Sequence, residues 1–495
     1  MRSLVVLTAA VLLPLPAAAQ TAPTIELESV EASAGDGRVI QGERGLLTVP
    51  LVRNDPGSRT IEIEVHRFPA LNGRGDTPPV VLLHGGPGWV GLGPSLQREN
   101  YVRDIILRYV EVTDLVVVGQ RGIGSSPPNT TCSAVRRPSG DVSRPPEDSE
   151  ERVLEALAQC RRTWEDQGYD LLGFNVVEAA ADVNDVRRAL GYDRITLWGV
   201  SFGSHWSMAV MRFHPEIVAR AVLSGMEGPD HTYDSPSGVL FAIEQLAASA
   251  EQSPDLAPFI PDGGLIEGLR STTRAFEAEP VTVPVELRGE TREITLFADD
   301  VRGAALGYSR RASSRSGMET WPSDMIRIIG GDWADFAQTV ARQRAFSPSL
   351  PTASFWNLDC GSGITPERHA RFAADPAQEI VGDPGAFYDL GCQAWDADLG
   401  DDFRQNFTTE IPTLIVHGEW DTSTPLSNAK ELLPFFPNST FVSVEGGSHG
   451  ALNEIIREFP EMKRRIMGFV ATGDRTGFPE RVTLPPIDFV VPEGN

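Results

Sequence analysis

A chain of 495 residues, 41% of them hydrophobic, is long enough to bury a large core and, at about 150 residues per domain, to form two or three units. Its 68 acidic residues outnumber its 43 Lys and Arg for a net charge of −25, and the basic residues never gather into a run, which argues against a nucleic-acid partner. An acidic surface favours cationic substrates, although it serves solubility equally well.

Residues 1–19 combine Arg2, an apolar run from Leu4 to Leu15 and Ala17-Ala18-Ala19 ahead of Gln20, the pattern of a cleaved signal peptide. The run is too short to span a bilayer and no second one follows. The expectation is therefore an exported protein, periplasmic or extracellular, without stable membrane insertion once the signal is removed. Export makes disulfides the expected use of Cys132, Cys160, Cys360 and Cys392. Three pairings are possible. Proximity along the chain favours Cys132 with Cys160 and Cys360 with Cys392, each closing a loop worth roughly 3–4 kcal/mol.

Beyond the signal, Leu46 to Val52 and Thr60 to Phe68 have strand character around an Asn54-Asp-Pro-Gly57 turn, an antiparallel entry hairpin. Pro79 to His84 and Thr113 to Gly119 are continuous apolar runs, as expected of strands covered on both faces of a parallel sheet. The Pro- and Ser-rich stretch from Pro127 to Pro146 reads as an excursion pinned by Cys132. A helix over Phe174 to Leu190 leads into a strand beginning at Ile195, and Ala221 to Gly225 is the next strand. The sheet pattern then stops. From 231 to 404 the chain offers helices, among them Val239 to Glu251 and Met325 to Arg344, and a hairpin around Gly289-Glu290. Strand pattern resumes at Ile411 to Gly418, followed by a helix over Leu426 to Phe436 and a strand over Thr440 to Glu445. These boundaries predict a discontinuous core over 20–230 and 405–476, an inserted cap over 231–404, and a Pro-rich extension over 477–495 lying extended on the surface.

The chemistry centres on Gly199-Val-Ser201-Phe-Gly203, which stands between an apolar strand and a helical pattern. Glycines on either side let two backbone segments crowd around a sharp turn that exposes the serine hydroxyl. A serine nucleophile needs an imidazole to take its proton and a carboxylate to orient that imidazole. His449, in Gly446-Gly-Ser-His-Gly450 after the last strand, is the candidate base. Asp421, just past the strand ending at Gly418, is the candidate acid, with Glu419 as its competitor; His417 reads as structural. His84-Gly-Gly-Pro-Gly88 ends an earlier strand with backbone N–H groups free to face an oxyanion, and Gly86 and Phe202 are the candidate donors.

These residues resemble the α/β-hydrolase serine peptidases that include proline iminopeptidase and the secreted tripeptidyl aminopeptidases. His84 to Gly88 is similar to their oxyanion motif, and Gln120-Arg-Gly-Ile-Gly-Ser125 to their D-Q-R-G-x-G-x-S segment, with Gly119 in place of the usual Asp. The likeness to the tripeptidyl type extends over nearly the whole mature chain, through Val49-Pro-Leu, the hairpin at Gly289 and Cys392-Gln-Ala-Trp395. It implies a mostly parallel sheet flanked by helices with a mainly helical cap, and a triad of Ser201, Asp421 and His449. No metal or organic cofactor is implied. An aminopeptidase must also hold a free ammonium group, which points to Glu227 in Gly225-Met-Glu-Gly-Pro, and Trp89 is placed to line a pocket for an apolar side chain. The expectation is an exported serine aminopeptidase acting through an acyl-enzyme on Ser201. The same triad serves a carboxylesterase or other acyl hydrolase on a small ester, and a non-catalytic binding module is the third reading.

Overall fold

A computed structural model describes residues 23–88, 93–133, 142–287, 289–311, 314–345 and 349–492. The expected signal peptide lies outside these residues. Twelve strands occur among them, and ten form one sheet in the order β1-β2-β3-β5-β4-β6-β7-β10-β11-β12. They are β1 (Glu28–Ser33), β2 (Val39–Pro50), β3 (Thr60–Phe68), β4 (Val80–Leu83), β5 (Leu115–Val118), β6 (Ile195–Val200), β7 (Val218–Ser224), β10 (Thr413–Gly418), β11 (Ser439–Glu445) and β12 (Arg481–Thr483). The first three strands join antiparallel, β3 runs antiparallel to β5, and every pairing from β5 to β12 is parallel.

The apolar runs of β4 and β5 are buried at every position because helices cover both faces. Val81, Leu83, Val116 and Val118 face one apolar cluster with the helices Val176–Ala189 and Phe202–Phe213. Val80, Leu82, Leu115 and Val117 face another with the helices Ala451–Glu458 and Pro460–Thr472. Strand alternation thus divides one uniform apolar sequence between two cores.

Between β7 and β10 the chain leaves the sheet. Its helices Pro236–Glu251, Gly264–Ala278, Arg315–Ile329 and Ala334–Ala345 pack with the hairpin of β8 (Val281–Leu287) and β9 (Glu290–Leu296) around a third cluster centred on Trp321, Met325 and Ile294. The later part of the insertion behaves differently. Trp356 and Cys360 of the helix Ala353–Ser362, with Trp395 and Phe403, pack into the first sheet cluster. The disulfides are Cys132–Cys160 and Cys360–Cys392, as proximity suggested.

Two expectations change. The single helix over Met325 to Arg344 is two helices, because Gly330 and Gly331 follow Ile329 and Gly331 takes φ 87°, a left-handed conformation that ends the first. The tail is more than a surface extension. Residues Arg481–Thr483 pair in parallel with Ser443–Glu445, and Leu484 and Ile487 are buried beyond them.

Candidate active site

The turn after β6 forces Ser201 to φ 60° and ψ −134°, the one non-glycine residue with positive φ among those described. A side chain at Gly199 would run into the Gly203 carbonyl, and one at Gly203 into that of Leu83. Both glycines of the motif are therefore demanded by contact, one between strand and helix, the other against the end of β4. Such backbone costs of order 1–3 kcal/mol and persists where the surroundings over-determine it. Here they do. The Ser201 amide donates to the Ser224 carbonyl at 3.1 Å, and the Ser204 hydroxyl lies 2.7 Å from the Ser201 carbonyl and 3.1 Å from that of Gly225.

Segment Ser224–Gly225 also meets the His449 ring. A Cβ at Gly225 would stand 3.0 Å from both His449 Cε1 and Thr424 Oγ1, so only glycine lets β7 approach the imidazole so closely. His449 Nδ1 lies 3.0 and 2.9 Å from the two oxygens of Asp421. Asp421 is fully buried at the carboxyl edge of the sheet, where it also accepts from the amides of Ser423 at 2.9 Å and Thr424 at 3.0 Å and from the Thr424 hydroxyl at 2.7 Å. Burial alone raises the Asp421 carboxyl, yet the His449 charge and these donors outweigh it and hold it at about 2. Burial likewise lowers His449, and Asp421 outweighs it to leave the imidazole above its ordinary value. The Nδ1 bond to Asp421 leaves Nε2 as the basic nitrogen. Glu419 instead pairs with Arg481 of β12 at 2.6 Å, and His417 is buried with Nδ1 3.0 Å from the Gly418 carbonyl oxygen.

The glycine loop after β4 lies against the elbow. A Cβ at Gly85 would stand 2.9 Å from the Val200 carbonyl and 3.0 Å from the Ser201 Cβ. Gly86 follows with φ 115°, and Phe202 opens the helix Phe202–Phe213 with its N-terminus beside Ser201. Trp89 lies outside the described residues. Gly119, the departure from the resembled motif, also has a local reason. A Cβ there would meet Ser126 Oγ at 2.5 Å, and that hydroxyl is taken by the amide of buried Glu64 at 3.0 Å.

Glu227 is buried at 8% exposure, and its amide donates to Ser204 Oγ at 2.9 Å, which ties it to the elbow. Its companion was not visible in the sequence. Asp359, on the helix Ala353–Ser362, is 1% exposed beside the Tyr388 hydroxyl, and its Oδ2 has no hydrogen-bond partner among the described residues. Burial pushes the Glu227 carboxyl well up, with the neighbouring Asp359 and Asp234 adding to the shift; burial does the same to Asp359. Beside the pair stand Phe355 and Tyr388, stacked at 6.5 Å and 8°, with Phe387 6.1 Å from Phe355. Phe355 approaches to 3.8 Å of a Cβ placed at Gly88. The only sequence signal for this wall is its cysteines, since Asp359 precedes Cys360 and Tyr388 lies one turn before its partner Cys392.

Two family descriptions match, an alpha/beta hydrolase fold over residues 78–257 and a TAP-like protein over residues 379–474. The chain has the α/β-hydrolase fold. It is 26% identical over 192 residues to the serine protease Hip1 of Mycobacterium tuberculosis, covering 38% of this chain and 36% of that protein. It is 28% identical over 164 residues to the proline iminopeptidase of Neisseria gonorrhoeae, covering 33% and 37%. These matches span only about a third of either relative. A longer one joins it to the tripeptidyl aminopeptidase of Streptomyces lividans, 25% identical over 455 residues, covering 87% of this chain and 81% of that one.

Proposed function

We propose that this protein is a serine aminopeptidase that cleaves peptides near a free N-terminus through an acyl-enzyme on Ser201. His449 Nε2 takes the Ser201 proton as Oγ attacks the scissile carbonyl, and Asp421 holds the ring and balances its charge. The tetrahedral oxyanion faces the amides of Gly86 and Phe202, each such donor being worth about 2.7–4 kcal/mol. His449 passes its proton to the leaving amine. Water, deprotonated by the same nitrogen, then releases the acyl group.

The observation that favours an aminopeptidase over an esterase is the buried pair Glu227 and Asp359, with a carboxylate oxygen left unmatched beside the elbow. A buried carboxylate is costly unless a cation meets it, and the substrate ammonium is that cation. The aromatic wall of Phe355 and Tyr388 suits the apolar part of an N-terminal residue. Two disulfides support export, and no described helix is long and apolar enough to cross a membrane.

The test is a matched set of aminoacyl and peptidyl p-nitroanilides, N-free and N-acetylated, with p-nitrophenyl acetate alongside. Among the anilides, cleavage confined to the N-free members supports the reading, while p-nitrophenyl acetate reports the serine and the oxyanion site alone. Equal cleavage of blocked substrates transfers the protein to the esterases or other acyl hydrolases. Ser201→Ala should abolish turnover with the melting temperature unchanged, and retained hydrolysis would sink the nucleophile.

A further inference from the structure

β5 delivers Gln120 to the carboxyl edge of the sheet, one strand from the glycine loop, and the triad leaves its part open. The side chain is 2% exposed. Its Nε2 donates to the carbonyls of His84 at 3.0 Å and Gly85 at 3.1 Å, while Oε1 accepts from the Gly88 amide at 2.8 Å. Both N–H groups and the oxygen are thereby engaged. A reversed amide would set its oxygen against two carbonyls, so the partners fix the orientation. The three bonded backbone groups bracket Gly86 from both sides. A loop of this composition has no side chains of its own on Gly85, Gly86 or Gly88 to fix its path, and glycine has the widest backbone freedom of any residue. The clamp is itself held. The Gln120 carbonyl accepts from the Ile123 amide at 3.2 Å, and the next residue, fully buried Arg121, grips Asp182 through Nε at 2.8 Å and a terminal nitrogen at 2.9 Å.

We infer that Gln120 is a positioning residue for the oxyanion, one that acts through the backbone of the glycine loop by aiming the Gly86 N–H at the charge that develops on the substrate carbonyl oxygen. The inference rests on the reading of Ser201 as the nucleophile and of Gly86 as a donor. An oxyanion donor acts on the transition state far more than on bound substrate, so its displacement lowers kcat and spares KM. Misplacement by about 1 Å costs about 100-fold in rate.

The experiment compares wild type with Gln120→Glu, which keeps the length and the acceptor but loses both donors, and with Gln120→Met, which keeps the length and loses all polarity. p-Nitrophenyl acetate is the substrate because it needs the serine and the oxyanion site but no ammonium recognition. Both variants should lose about 100-fold in kcat with KM within threefold. Phosphonylation of Ser201 by a fluorophosphonate should slow in parallel, and melting temperatures should stay within a few degrees of wild type. A kcat within threefold of wild type in either variant overturns the clamp, as does a loss carried by KM. Failure of both variants to fold overturns it too, by assigning Gln120 to stability. Wild-type protein that resists the fluorophosphonate removes the nucleophile reading itself, whereas labelling at equal rates in all three proteins removes the clamp alone.

Discussion

Asp359 shows what the proposed amine site costs its own fold. Its carboxyl is raised by burial, so the folded chain holds a proton there that the unfolded chain has released above about pH 4. Stability falls with pH wherever the folded state binds more protons, which means that this group and Glu227 weaken the fold progressively above that point. Asp359→Asn should therefore flatten the decline in melting temperature between pH 5 and 9, with a gain of about 1–3 kcal/mol at the alkaline end, while KM for N-free substrates rises at least tenfold. An unchanged KM would free Asp359 of any part in amine recognition. His449 shifts stability in the same direction for a different reason. Its raised pKa gives the pair with Asp421 a stabilising charge that is present at low pH and lost as pH rises through the folded value. Catalysis needs the neutral ring, so the acid limb of kcat/KM should have its midpoint above 6.5, and a midpoint below that value in the pH profile would contradict the pairing. The placement of Ser201, Asp421 and His449 at the carboxyl edge of the sheet was legible because each sits in a turn marked by glycines or by a strand end. Asp359 was not, since a lone Asp on a helix has no local mark, and what makes it unusual is burial that only the packed fold creates.

At the scale of elements, the legible pieces were those with one environment along their length. β4, β5 and β10 are buried throughout and read as strands from composition alone. β1, with the sequence Glu-Ser-Val-Glu-Ala-Ser, is mostly exposed and is held by its ladder to β2, which no local pattern announces. The same contrast governs the two glycines at 330 and 331, whose helix-ending role competes with an otherwise continuous apolar period. For the proposed amine site the helices Ala353–Ser362 and Ala386–Cys392 matter most, and the disulfide Cys360–Cys392 ties them together. Asp359 and Tyr388 are carried on these tied helices. Closing a loop of that length stabilises the wall by roughly 3–4 kcal/mol. Replacing both cysteines by Ala should loosen the wall without touching the elbow. KM for N-free peptides should rise severalfold, while p-nitrophenyl acetate turnover stays within twofold; a parallel fall in both would show that the wall supports the triad itself.

Across the whole molecule, the segment after β12 joins parts that the chain order keeps far apart. β12 pairs with β11, the strand that leads to the His449 loop. Arg315 then donates to the Pro486 carbonyl at 2.9 Å, and the Val490 amide donates to the Glu319 carbonyl at 2.9 Å, both contacts lying on the inserted helix Arg315–Ile329. Ile487 is buried in the apolar cluster of the insertion, and Phe489 packs against that cluster together with Trp420, the residue before Asp421. The strap therefore fastens the insertion to the same edge of the sheet that bears Asp421 and His449. Because its hydrogen bonds are few and its apolar contact with the insertion comes from Ile487 and Phe489, it can be weakened without unfolding either part. Ile487→Ala removes buried apolar contact worth about 2 kcal/mol at the low end for such truncations. Ending the chain after Leu484 removes the anchor and the hydrogen bonds of Pro485, Pro486 and Val490 while leaving β12 in place. Hydrogen exchange should quicken in the helix Arg315–Ile329 and in the turn at Trp420, more in the truncated chain than in Ile487→Ala, with the strands β4 to β7 unaffected. KM should stay within twofold in both variants, because the wall that carries Asp359 packs with the sheet and not with the part of the insertion that the strap holds. Exchange that quickens evenly through sheet and insertion would instead show that the strap stabilises the molecule as one unit and has no separate hold on the insertion.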